Sequence, residues 1–125
     1  MERLSDDQVA RVVALAMDLA RRGHTADLLE FFDHGLPVDV QDADGNTALM
    51  LAAYHGHVAT VLALIERGAD VDLRNRRDQS PIAGAIFKGE DDVVVALRDA
   101  GADLDGGTPS ARATAELFGR SHLLE

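Results

Sequence analysis

The 125-residue chain predicts an all-α solenoid of helix-turn-helix units with β-turn fingers, about three repeats long with a partial fourth repeat as carboxy-terminal cap. Three observations predict it. Gly23, Gly56 and Gly89 are spaced by 33 residues, as are Gly35, Gly68 and Gly101, and Asp39, Asp72 and Asp105 keep the same interval. Apolar residues recur at helical spacing between those glycines. Ser5, Thr47, Ser80 and Ser110 stand where helices would begin, and their hydroxyls can accept from the free amides of a first turn. A period of this length marks units that bury an apolar face only by stacking on one another.

One domain is expected over residues 1–125, with an amino-terminal cap and first unit at about 5–41, a second at 42–74, a third at 75–107 and a partial fourth at 108–125. In the first unit, "SDDQVARVVALAMDLA" gives Ser5 and Gln8 the spacing of a capping box and sets Val9, Val12, Val13 and Ala16 on one apolar stripe. In the second, Thr47 caps a helix whose Leu49, Ala52, Ala53 and Gly56 fall at i, i+3, i+4 and i+7, a narrow stripe that lets helices approach closely. Gly56 ends that helix, Val61, Leu62, Leu64 and Ile65 give the next its apolar face, and Gly68 ends it in turn.

The third unit repeats this grammar with Ser80 as cap and Pro81 at the first helical position, where its missing N–H costs nothing. In the fourth, "SARATAELFG" matches "SPIAGAIFKG", but the turn before it has lost three residues and the remaining "RSHLLE" is too short for a full second helix. Thr108-Pro109 is an alternative start for that last helix. Arg98 stands where Ile65 and Phe32 stand in the earlier units, a polar choice suited to a position with no full helix beyond it.

With 12 Lys+Arg against 22 Asp+Glu, the formal net charge of −10 opposes binding to nucleic acid or anionic lipid. There is no cysteine, hence no disulfide framework or thiolate chemistry. The first apolar run, preceded by Glu2, Asp6 and Asp7, is broken by Arg11 and Asp18, so neither a signal peptide nor a membrane span is expected, and the cytoplasm is the default compartment.

The candidate chemical groups read as scaffold. His55 and His57 are two residues apart, about 200° around a helix, and cannot close on one metal. The four serines sit at helix starts or the chain end, without a nucleophile turn. "DGGTPS" lacks the lysine of a phosphate loop. Glu90, Asp91 and Asp92 meet the positive end of a helix. Asp70, Asp72, Asp103 and Asp105 recur with the period, as scaffold does. No cofactor, metal or catalytic activity is expected.

The 33-residue period, the helix start of the T-P-L kind, the "AAYHGH" ending and the "GAD" close together make "DADGNTALMLAAYHGHVATVLALIERGADVDLR" resemble an ankyrin repeat, and "DQSPIAGAIFKGEDDVVVALRDAGADLD" resembles a second. The resemblance covers roughly residues 8 to 120 and is to the small free-standing ankyrin proteins of bacteria. Met50 and Ala83 depart from the family's usual histidine and Asp78 from its turn glycine, although aspartate tolerates such backbone better than most residues. The resemblance implies that His57, and His24 before it, bond the loop between helices, and that His55 is exposed.

It also implies that a protein partner is gripped by turn tips and by the exposed side of the first helices. Carried over by position, this gives Ala43, Asp44 and Asn46 in one turn and Arg74, Arg76, Arg77 and Gln79 in the next. On the helices it gives Tyr54, His55, Phe87 and Lys88, with Arg21 and Arg22 extending the row to the first unit and Leu117 and Phe118 to the last. Two of the chain's five Phe and Tyr residues, Tyr54 and Phe87, stand one period apart beside arginines. These are the residue types that most often anchor interfaces. A locally basic concave side of Arg21, Arg22, Arg74, Arg76, Arg77 and Lys88 is expected, facing an acidic and apolar patch on the partner. The function expected is a non-catalytic adaptor, inhibitor or masking module that works as a monomer. The alternative is a structural protein that self-associates through a carboxy-terminal edge with Phe118, Leu123 and Leu124.

Overall fold

The computed structural model describes residues 3–125; Glu2 lies outside them. Seven α-helices follow one another, with no strand among the described residues: α1 (Asp6–Arg22), α2 (Thr25–Asp33), α3 (Ala48–Tyr54), α4 (Val58–Glu66), α5 (Pro81–Lys88), α6 (Asp91–Asp99) and α7 (Ala111–Phe118), then a short 3-10 helix, Ser121–Leu124. The odd-numbered helices form one layer, α1 on α3 on α5 on α7, and α2, α4 and α6 form the layer behind.

Local chemistry sets these boundaries. Ser5 accepts from the Gln8 amide at 3.2 Å while the Gln8 side chain accepts from the Ser5 amide at 2.8 Å. Thr47, Ser80 and Ser110 accept from Met50, Ala83 and Ala113 in the same way. With Ser110 as cap, the last helix begins at Ala111 rather than at Thr108-Pro109.

Small residues hold the front layer together. Ala52, Ala85 and Ala115, at equivalent positions, are each fully buried, and behind them Leu28, Val61 and Val94 form a buried column through the second layer. Burying each of those aliphatic side chains contributes roughly 1.5–3 kcal/mol. Two stripes are narrower than their periodicity suggested. Val9 at the start of α1 and Leu62 on α4 are exposed, because no neighbouring helix covers those faces among the described residues.

A finger precedes the α3–α4 pair and another the α5–α6 pair. Asp42 Oδ1 accepts from the amides of Asp44 and Asn46, and Asn75 Oδ1 from those of Arg77 and Gln79. The fingers are laced together: Arg76 donates its amide to the Asp44 carbonyl at 3.0 Å, and the Asn75 side chain donates to Asn46 Oδ1 at 2.9 Å. Gly45 at the tip has φ +80°, and a Cβ there would lie 2.8 Å from the Arg76 nitrogen, so only glycine fits. Asp78, its counterpart, holds φ +60°. The shortened fourth finger still docks, Thr108 donating its amide to the Asp78 carbonyl at 2.8 Å.

At the carboxy-terminal end Arg98 has a task its position alone did not reveal. Its guanidinium donates to the carbonyls of Leu123 and Glu125, at 3.0 and 3.1 Å. The 3-10 turn is thereby tied to α6, with Leu123 and Leu124 partly buried on the core.

Candidate functional site

The exposed side of α1, α3, α5 and α7 and the two full fingers make one continuous surface. The position before each helix-ending pair is occupied in turn by Arg21, Tyr54, Phe87 and Leu117, so polarity falls steadily from the first unit to the last. Two adjoining hollows lie along it.

The first hollow, about 360 Å³, lies between α3 and the two fingers. It brings together Arg21, Asp44, Asn46, Tyr54 and His55 with Arg76, Arg77 and Gln79. Arg76 and Arg77 are exposed, and neither makes an ion pair among the described residues. Arg21 lies 4.0 Å from Asp42. Burial, and after it the charges of His57, Lys88 and Arg21, hold the His55 imidazole below the usual histidine range.

The second hollow, about 490 Å³, lies between α5 and α7 and shares Tyr54 and Gln79 with the first. Its floor is small, with Ala83, Gly84, Pro109 and Ala113, and its rim is Phe87, Leu117 and Phe118. The rim is markedly exposed, at 58%, 80% and 47% of each residue's full accessibility. Phe87 and Phe118 meet edge to face, with ring centroids 5.7 Å apart, an attractive geometry for aromatic quadrupoles.

Tyr54 joins the two hollows and is half-buried, where full exposure was expected. Gly84 stands where Leu51 stands one period earlier, and its missing side chain leaves room for the ring: a Cβ there would lie 3.5 Å from Tyr54 Cδ1. Lys88 lies over the ring, its Nζ 5.0 Å from the centroid.

Other expected positions fall elsewhere. Arg74 pairs with Asp78 at 3.2 Å, repeating the bond one period earlier in which Gln41 donates to the Gly45 carbonyl at 2.8 Å. That position braces its own finger and does not reach the hollows. Arg22 pairs with Asp18 one turn back, and Ala43 lines a separate hollow beside α1. The expected basic side is therefore carried by Arg76, Arg77 and Lys88, since Arg21, Arg22 and Arg74 each have a carboxylate close by. The small-residue floor was missed in the sequence, where its alanines and Gly84 look like another core stripe. The three-residue loss in the fourth finger was the signal beside it.

His57 is structural: its Nε2–H donates to the Arg21 carbonyl at 2.6 Å, and the acceptor can only be the oxygen. His24 is exposed instead, since α1 is the first helix described and no earlier helix end lies beneath it. Among the described residues no group of three or more His, Cys, Asp or Glu side chains is placed to hold a metal ion, and no helix there is long and apolar enough to cross a membrane.

Stacked helix pairs with fingers projecting before them define a helical-repeat module. The chain belongs to the ankyrin-repeat family: the family model for ankyrin repeats, in three copies, matches residues 16–106. Ankyrin repeats are generally protein–protein interaction modules and typically not enzymes. No curated protein matches the sequence.

Proposed function

We propose that this protein is a non-catalytic binding module, an adaptor, inhibitor or masking partner, that takes one protein at a time on the face formed by its first helices and fingers. The observation that carries this reading is the column of Tyr54, Phe87 and Leu117 beside Arg76 and Arg77, which make no ion pair among the described residues. Monomeric proteins rarely leave large aromatic and aliphatic groups together on one exposed surface without a use for them.

Self-association through the carboxy-terminal edge has less support, because Leu123 and Leu124 pack on the core. Its remaining basis is exposed Phe118.

The test is quantitative capture from an extract of the source cell, with wild type and an Arg77→Glu, Phe87→Ala variant as parallel baits. Both positions are exposed, so the variant should keep its helical signal. A protein enriched by wild type and lost by the folded variant supports the reading; identical recoveries by both baits would sink it.

A further inference from the structure

The two hollows differ in chemistry and share a wall, which fixes what kind of segment could fill both. The hollow at the fingers is cationic within a chain of net charge −10: among the described residues Arg76 and Arg77 make no ion pair, Lys88 stands at the Tyr54 boundary, and Asp44 is the one carboxylate in the lining. The hollow between α5 and α7 is apolar, with no charged residue lining it among the described residues. Its open side follows from the fourth finger, which has lost three residues and has no tip corresponding to Arg76 and Arg77.

Resting on the binding-module reading, we infer that the partner contributes a short peptide segment in which one or two carboxylates lie a few residues from a bulky aliphatic or aromatic side chain. The carboxylates meet Arg76 and Arg77 at the fingers, and the apolar side chain enters between Phe87 and Leu117. Charge complementarity selects the segment: a cationic hollow on an acidic protein attracts carboxylates locally while the rest of the surface repels acidic proteins that lack the apolar anchor. Tyr54, half-buried beside Gly84 with Lys88 over its ring, is the wall that the two hollows share.

The test is selection of a phage-displayed library of random 12-residue peptides on the wild-type chain, followed by affinity measurement of a labelled peptide made from the enriched pattern. The enriched peptides are expected to combine Asp or Glu with Leu, Ile, Phe, Met or Trp at a fixed short spacing. An Arg76→Glu, Arg77→Glu variant and a Leu117→Glu variant should each weaken the peptide about tenfold or more. Replacing the peptide's acids with amides should abolish its sensitivity to the arginine variant alone. All three positions are exposed; should a variant lose its helical signal, Lys88→Glu and Phe118→Ser take its place. Peptides that lack the paired pattern yet lose binding in one variant would overturn this inference and leave the binding-module reading standing. Peptides indifferent to both variants, or no enrichment over bare support, would overturn this inference, whereas the binding-module reading falls only to identical recoveries in the capture test. A dimer in sedimentation that either variant dissolves would make a second copy the occupant and overturn the peptide proposal.

Discussion

His57, at the start of α4, lies across Gly23 at the end of α1 and bonds the Arg21 carbonyl beside it at 2.6 Å. The ring sits so close that a Cβ on Gly23 would be 2.6 Å from its Nδ1, and Gly23 has φ +72°. Gly23→Ala should therefore cost about 2–3 kcal/mol, part backbone strain and part collision. In a His57→Ala background the collision disappears and the same substitution should cost only about 1 kcal/mol. Urea unfolding of the four proteins measures the difference; equal costs in both backgrounds would refute the contact.

Glu90 occupies the corresponding place one period later, its carboxyl lying over Gly56 as the His57 ring lies over Gly23. The backbone is nearly the same, φ −90° and ψ 74° at Glu90 against −87° and 78° at His57. A carboxylate cannot donate to the carbonyl of Tyr54, the counterpart of Arg21. Glu90→His should supply that bond and raise stability by about 1 kcal/mol, seen as a higher urea midpoint.

Gly84 sits inside α5, where glycine costs about 1 kcal/mol relative to alanine. A methyl there would touch Tyr54 at ordinary contact distance, 3.5 Å. Gly84→Ala should therefore be neutral or stabilising with Tyr54 unmoved. Gly84→Leu should displace the ring and fill the apolar hollow. Tyrosine fluorescence of this single-tyrosine chain reports the movement; no spectral difference between the two variants would contradict the packing.

The lowered affinity of His55 for a proton has a defined sign. Its folded-state value lies below the ordinary value of about 6.5, so the unfolded chain binds the extra proton first as pH falls. The stabilisation is complete above that value and is lost as pH drops from 6.5 toward the folded value. Glu90 opposes the effect, while burial, His57, Lys88 and Arg21 drive it. His55→Gln should lose less stability than wild type between pH 7.5 and 5.5, compared by urea midpoints. An equal loss in both would assign the pH sensitivity elsewhere.

The helix order and caps were legible because they are local: a hydroxyl three residues from an amide is visible in a string, as with Ser5 and Gln8. The exposed column was legible because it repeats. What the string concealed depends on neighbours in space. Arg74 sits in the finger by number, but its side chain braces Asp78, and nothing linear says to which side of a finger a residue turns. Tyr54 is half-covered only because position 84 is a glycine. Val9 and Leu62 fall on apolar stripes that no other helix covers among the described residues, which periodicity alone cannot foretell.

Among the described side-chain hydrogen bonds, the widest in sequence joins residues 36 positions apart, His57 to Arg21. Each unit is thus bonded only to its immediate neighbours along the chain. The chain can assemble in the order in which a ribosome releases it, every new helix pair docking on a surface already waiting, and no stage has to hold open a place for a distant segment still to be made.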